Sequence, residues 1–273
     1  IMNNLEFKNT LEKIDNKSSK IGIIGLGYVG LPLSILLVKN NFHIFGFDID
    51  KKKISKIKKN KSYIDRISNS DVALINKRGK FYSNFSKIEE CEIIIICVPT
   101  PLKNNTVPDL SFIRNTIKSI KKFLKEGQVL ILESTSYPGT TNEEIYKKLK
   151  SKFNIGKNFF LGFSSERIDP GVNENSIQKI PKVVSGFSEN CLKIISRFYK
   201  KSFNQVVESK SLEIAEFSKL LENIYRSINI GFINEMKILA DRMNLDIFEI
   251  IEVANTKPYG FRRFFPGPGI GGH

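Results

Sequence analysis

Cysteine is scarce in this 273-residue chain, and its three residues, Cys91, Cys97 and Cys191, form no C-x-x-C pair and no metal-ligand spacing. That excludes a disulfide framework and gives no basis for a metal site. A sparse, odd set suits a reducing compartment, so a cytoplasmic protein is expected. Long apolar runs are lacking as well. The longest, Ile93 to Val98 and Val129 to Leu132, are strand-sized, against the roughly 20 residues of a membrane-spanning helix. No membrane insertion is expected. Residues 1–19 are polar and mixed in charge with no apolar stretch, so they read as an N-terminal extension and not as a signal peptide. Acidic residues are outnumbered, 28 against 43 basic, for a net charge of +15. The surplus is mostly lysine scattered along the chain, densest at Lys51 to Lys53 and Lys56 to Lys61. It lacks the clustered arginines and aromatics of a base- or phosphate-reading module, so no nucleic-acid partner is expected. Solvated helix faces account for these lysines, and a basic surface does not oppose the approach of small polyanions.

What is present is an ordinary globular composition, 41% hydrophobic and 26% charged, with strand and helix signals alternating from residue 20. Ile21 to Ile24 form a short apolar strand, Leu31 to Lys39 a buried helix, and His43 to Phe47 a second strand ending at Asp48. The β-branched run Ile93 to Val98 suits a parallel strand covered on both faces. A helix is expected from Pro108-Asp109 through Leu124, then strands at Val129 to Leu132, Phe159 to Phe163 and Lys182 to Ser185. Thr141 with Glu144 reads as a capping box for a further helix. The pattern is that of an α/β fold, a doubly wound Rossmann-type parallel sheet. From Ser211 to Met243 no proline occurs, and Ile214, Phe217, Leu221, Ile224, Ile228, Phe232 and Leu239 recur at helical spacing. This predicts one long helix, then a second helix capped by Asp246 and ending near Asn255. Three regions are therefore expected: the extension 1–19, a cofactor domain 20–206, and a helical domain 207–273. The apolar positions of the long helix occupy more than one face, so a homodimer built on it is expected.

Gly25-Leu26-Gly27-Tyr28-Val29-Gly30 lies between a strand and a helix, the context a dinucleotide fingerprint requires. Gly25 permits the tight turn, Gly27 lets backbone approach a pyrophosphate, and Gly30 lets helix and strand pack closely. The pyrophosphate then meets the helix N-terminus. Asp48, 18 residues beyond Gly30, is placed to accept from both ribose hydroxyls and to repel a 2′-phosphate, favouring NAD over NADP. Pro99 and Thr100, and Thr135 after the next strand, fall at the C-terminal edge where such sheets bind ligands. Lys219 and Asn223 stand four apart, on one face of the long helix, where an ammonium and an amide can stabilise an oxyanion.

Taken together, these segments, with Ser165 to Gly171, Thr256 to Phe261 and the Gly/Pro loop Pro266 to His273, resemble the nucleotide-sugar (UDP-glucose/GDP-mannose) 6-dehydrogenase family. Within it, the branch acting on UDP-N-acetyl-D-glucosamine for surface-polysaccharide synthesis is the most similar. The resemblance runs from Lys20 onward. It implies oxidation of a UDP-sugar 6-hydroxymethyl to a carboxylate with two NAD, through an aldehyde and a cysteinyl thioester. It also implies that Lys219 and Asn223 stabilise oxyanions while Glu166 and Thr135 position and activate water. Glu166, Arg167, Lys219, Asn223, Arg263, Phe264, Phe265, Pro266, Gly267 and Gly271 would contact the sugar nucleotide, and Lys53 the cofactor. In that family Gly-Gly-His precedes the nucleophilic cysteine. This sequence ends at His273, so a chain cut before its nucleophile and its C-terminal UDP-sugar-binding domain, and inactive alone, is expected. The alternatives are a two-electron β-hydroxyacid dehydrogenase needing only Lys219 and Asn223, and a non-catalytic NAD-binding dimer.

Overall fold

A computed structural model describes residues 5–103, 107–167 and 174–267, with only the backbone for 174–176. The chain divides into two units: residues 1–168 with 172–217, and residues 218–273 with 169–171.

The first unit is an α/β sandwich. Its strands are β1 (Lys20–Ile24), β2 (His43–Phe47), β3 (Gly79–Tyr82), β4 (Ile93–Ile96), the short hairpin pair β5 (Leu102–Lys103) and β6 (Val107–Pro108), then β7 (Val129–Leu132), β8 (Phe160–Ser164), β9 (Lys182–Gly186) and β10 (Val206–Glu208). Eight of them form one sheet in the order β10-β9-β8-β7-β4-β1-β2-β3. All neighbours pair in parallel except β8 with β9. The order reverses at β1, flanked by β2 and β4, which opens a crevice at the carboxyl ends of β1 and β4.

The continuous apolar strands are explained by burial on both faces. In β4, Ile93 and Ile95 join one core cluster while Ile94 and Ile96 join the other. β7 divides the same way, Val129 and Ile131 against Leu130 and Leu132. The first cluster is covered by α1 (Leu5–Asp15), α2 (Gly30–Lys39), α3 (Lys51–Lys58), α4 (Asn69–Arg78) and, later in the chain, α7 (Glu189–Tyr199). The second is covered by α5 (Ser111–Ile120), α6 (Lys147–Leu149) and the start of α8 (Leu212–Arg242). Eight isoleucines, valines and leucines with no accessible surface in β4 and β7, at about 2 kcal/mol each, make these strands the centre of the core.

Several expectations are refined. Residues 1–19 include a helix, α1, tied to α7 by Arg197 to Asp15 (2.7 Å). β4 ends at Ile96, and Pro99 beyond it has no N–H to give the ladder. α5 begins at Ser111, since Pro108 is spent in β6 and Asp109 accepts the Ser111 N–H at 2.8 Å. β10 pairs with β9, so the sheet continues two residues past position 206. The capping box is overturned. Thr141–Tyr146 is a π-helical turn without a side-chain cap. The Thr141 hydroxyl instead donates to Glu216 (2.7 Å), and Glu144 is engaged by Arg114 and Lys148. Charged partners displace the local bond: Glu216 and Arg114 are brought in by the tertiary fold, and Lys148 comes from the next turn.

The second unit is helical. It holds most of α8 and the whole of α9 (Ile247–Ala254), capped by Asp246 through the Phe248 N–H at 2.8 Å. Ile233, Ala240, Ile247 and Ile251 form its core, with Met236 against them. Along α8, Ile214, Phe217, Leu221, Tyr225, Ile228 and Phe232 remain exposed.

Candidate active site

The glycine loop joins β1 to α2, and each glycine has its own steric reason. Gly25 has φ +92°, and a Cβ there would sit 2.5 Å from the Cys97 carbonyl oxygen. A Cβ on Gly30 would lie 1.9 Å from the Gly25 carbonyl oxygen. Around Gly27, by contrast, a Cβ would meet no protein atom within 4 Å. The first and third glycines are thus required by the fold itself, and the second keeps space open beside the start of α2, where free N–H groups favour an anion. Tyr28 is exposed, Val29 and Gly27 partly so.

Asp48 follows β2 directly and is buried. Its carboxylate accepts the Leu26 N–H (2.9 Å) and the Asp50 N–H (2.9 Å), and Lys53 reaches it at 3.4 Å. The structure therefore brings Gly25, Leu26, Gly27, Asp48 and Lys53 together at one end of the sheet. These residues fit a dinucleotide: an open approach to backbone amides, and a buried, fixed carboxylate of the kind that accepts from a diol. Pro99 and Thr100 follow β4 at the same edge, and Thr135 is exposed beyond the end of β7. Ser134 ties the two edges, its hydroxyl donating to Val98 O at 2.7 Å.

Glu166 and Arg167 follow β8. Arg167 donates to Pro181 O (3.0 Å), and Lys182 lies 3.7 Å from the Glu166 carboxylate. Lys182 also pairs with Glu133 at 3.0 Å, where Glu133 additionally accepts the Tyr199 hydroxyl, and the ammonium sits over the Tyr199 and Phe203 rings. Burial pulls the Lys182 pKa down, but the two carboxylates more than offset it and hold the ammonium charged. Burial raises that of Glu133, against the pull of Lys182. One cation thus serves two carboxylates. Sequence reading missed this cluster; a lysine inside the short strand Lys182 to Ser185 was its only sign.

Glu216, also missed, accepts from the Gly139 N–H (2.6 Å), the Thr141 N–H (2.9 Å) and the Thr141 hydroxyl. It anchors the start of α8 to the turn that follows Thr135, and burial raises its pKa despite these donors. Lys219 and Asn223 come one and two turns later on α8, in the second unit. In that unit Arg263 pairs with Glu252 (3.2 Å), Phe264 meets the Tyr225 ring edge, Phe265 stacks on Phe248, and Gly267 exchanges two hydrogen bonds with Asn234 (2.9 and 2.8 Å). Pro266 is partly buried. Gly271 and the stretch 168–171 of the Ser165 to Gly171 motif lie outside the described residues.

The three thiols are buried and free, and burial pushes each pKa up, with Glu133 adding to it at Cys97. None presents a thiolate. Among the described residues no cluster of His, Cys, Asp and Glu can hold a metal ion, and no helix is long and apolar enough to cross a membrane. A hollow of about 420 Å³ lined by Glu6, Lys13, Glu90 and Gln128 lies at the opposite, N-terminal edge of the strands and takes no part in this site.

Residues 19–203 match the NAD-binding domain of the UDP-glucose/GDP-mannose dehydrogenase family, and residues 213–273 match its central domain. The chain belongs to that family. Among curated relatives it is 35% identical to a UDP-N-acetyl-D-glucosamine 6-dehydrogenase of Pseudomonas aeruginosa, covering 94% of this chain and 61% of that protein. It is 33% identical to a UDP-N-acetyl-D-mannosamine dehydrogenase of Methanocaldococcus jannaschii, covering 93% and 59%. A solved UDP-N-acetyl-mannosamine dehydrogenase from Staphylococcus aureus superposes with a TM-score of 0.83 at 30% identity, over 93% of this chain and 62% of that one. The chain thus spans about three-fifths of the length of these relatives. The glycine loop, Asp48 and Lys53 all lie within the family's NAD-binding domain.

Proposed function

We propose that this chain is the cofactor-binding and central part of an NAD-dependent dehydrogenase that oxidises the 6-hydroxymethyl of a UDP-N-acetylhexosamine, UDP-N-acetylglucosamine first, to the acid. The observation that carries the reading is the pair of family matches in order, 19–203 and 213–273. The substrate class follows from the relatives named above, which act on UDP-N-acetyl sugars by name. The domains divide near residue 207, and two copies associate through the exposed apolar stripe of α8.

NAD, when bound, supplies the hydride acceptor. The glycine loop and the N-terminus of α2 take its pyrophosphate, Asp48 its adenosine ribose with Lys53 beside it, and Pro99, Thr100 and Thr135 the nicotinamide end. Lys219 and Asn223 hold the sugar hydroxyl and stabilise the negative charge that develops on its oxygen. Glu166 accepts a proton from water, with Thr135 orienting that water. Arg167 and Arg263 to Gly267, with Gly271, hold the nucleotide sugar. The second oxidation needs an accessible thiolate, and Cys91, Cys97 and Cys191 are buried with raised pKa values. The 273-residue chain alone should therefore release no sugar acid.

Stoichiometry tests the reading. A polypeptide supplying the remaining length of the relatives should reduce two NAD per UDP-N-acetylhexosamine and lose turnover on Lys219→Ala. One NAD per substrate would put the protein in the two-electron class instead, and two NAD reduced by the 273-residue chain would require another nucleophile.

A further inference from the structure

Tyr63 stands outside every role assigned so far. It lies in the turn between α3 and α4, half-buried, with Ile64 fixed in the core and its own ring packed against the same cluster. Its hydroxyl crosses 37 positions of sequence to donate to the Leu26 carbonyl oxygen at 2.5 Å. Packing alone does not explain that bond, since a phenylalanine fills the same volume. Burial first, then the Asp48 and Asp50 carboxylates, raises the phenol pKa well beyond the usual range, so the hydroxyl keeps its proton across the physiological range.

The bonded carbonyl matters because of what shares its plane. A peptide unit is rigid and trans, so Leu26 C=O and Gly27 N–H lie in one plane and point in opposite directions. With the oxygen held by Tyr63, the Gly27 N–H is directed away from Tyr63. Gly27 is the glycine whose Cβ position is empty of protein atoms. The preceding peptide is fixed as well, through the Leu26 N–H to Asp48 Oδ2 at 2.9 Å. Leu26 is thus clamped on both sides, with its side chain buried. Among the described residues, the phenol is the side chain that holds the second of these two planes.

We infer that Tyr63 is a positioning residue of the dinucleotide site, its hydroxyl orienting the Leu26–Gly27 peptide so that the Gly27 N–H meets the pyrophosphate. This rests on the glycine loop being the family's NAD site. It makes a distinction that a merely structural tyrosine would not. Ligands with phosphates feel the loss of the hydroxyl, while a ligand with only adenine and ribose, held by Asp48 and the neighbouring peptide, does not.

The test is Tyr63→Phe in the full 273-residue chain, titrated with NAD, ADP and adenosine, beside thermal melts of both proteins. The variant should bind NAD and ADP roughly three- to tenfold more weakly, the equivalent of one ordinary hydrogen bond. Adenosine affinity should be unchanged. The Gly27 amide resonance, shifted by ADP in the parent, should shift much less in the variant. Unchanged NAD and ADP affinity overturns the inference. Equal weakening for all three ligands, or a lowered melting temperature with the same Gly27 shift, overturns it too, by making Tyr63 a packing residue. A parent chain that binds no NAD removes the cofactor reading itself, and this inference with it.

Discussion

Replacing the three loop glycines by alanine one at a time should give two different phenotypes. At Gly30 the new methyl would lie 1.9 Å from the Gly25 carbonyl oxygen, a backbone atom that cannot rotate aside, so helix α2 must shift from β1. Overpacking of that kind costs about 3 kcal/mol, and in a domain of this size about 6–12 °C of melting temperature. At Gly25 the overlap is milder, 2.5 Å from Cys97 O, but φ is +92°, and the left-handed region adds about 1–2 kcal/mol for an alanine. Gly25→Ala should therefore fall by a comparable amount. Gly27 meets nothing within 4 Å and has no positive φ. Gly27→Ala should melt within about 2 °C of the parent, yet bind NAD at least roughly tenfold more weakly, because its methyl fills the path of the pyrophosphate. Thermal melts by circular dichroism and NAD titrations of the same preparations decide it. Should Gly27→Ala melt as low as Gly30→Ala, or bind NAD as the parent does, the assignment of the loop would fail.

Glu144→Gln removes a carboxylate held down to about 2, first by its hydrogen bond from Arg114 and then by Lys148. A folded pKa below the unfolded one stabilises the protein above the ordinary carboxylate range and ceases to do so as pH falls through the folded value. The variant should be less stable at pH 7, with the gap closing between about pH 4.5 and 2; a gap independent of pH across melts would refute the ion-pair account. Ile228→Glu places a charge in the exposed stripe of α8, where Ile228 is 65% exposed. Sedimentation should find the parent a dimer at tens of micromolar and the variant a monomer with unchanged NAD affinity, and a monomeric parent would remove the dimer proposal.

How much of this was legible in the sequence depends on how far the deciding contacts reach. β2 and β7 are read to the residue: β7 is an uninterrupted apolar run, β2 departs from one only at its exposed first residue, His43, and polar residues end both. α2 follows from a continuous apolar run with Pro32 in its first turn, and α8 from periodicity and the lack of proline, each within one residue at each end. α4 and β3 carry no such mark: only Val72 and Ile75 of Asn69–Arg78 are buried, so its pattern is that of a surface loop. At Thr141 the local signal is real, but Glu216 lies 75 positions away and no spacing rule reaches it. The same holds for the site. The glycine loop and Asp48 form a local unit whose steric logic is written in consecutive residues. Tyr63, Lys182 and Glu133 gain their roles only when the sheet brings distant strands and turns together.

The central claim, that residues 19–203 form an NAD site with Asp48 on the adenosine ribose, is tested most directly by titrating NAD and NADP into the chain and into Asp48→Ala. Asp48 is buried, fixed by two backbone amides and flanked by Lys53, so it cannot turn away from a 2′-phosphate without losing those bonds. The account predicts NAD binding the tighter of the two by roughly tenfold or more. Asp48→Ala should weaken NAD by about 1–2 kcal/mol, the loss of charge-assisted hydrogen bonds, and narrow the gap to NADP. Equal or tighter NADP binding by the parent, or an alanine variant with undiminished NAD affinity and the same preference, would contradict it.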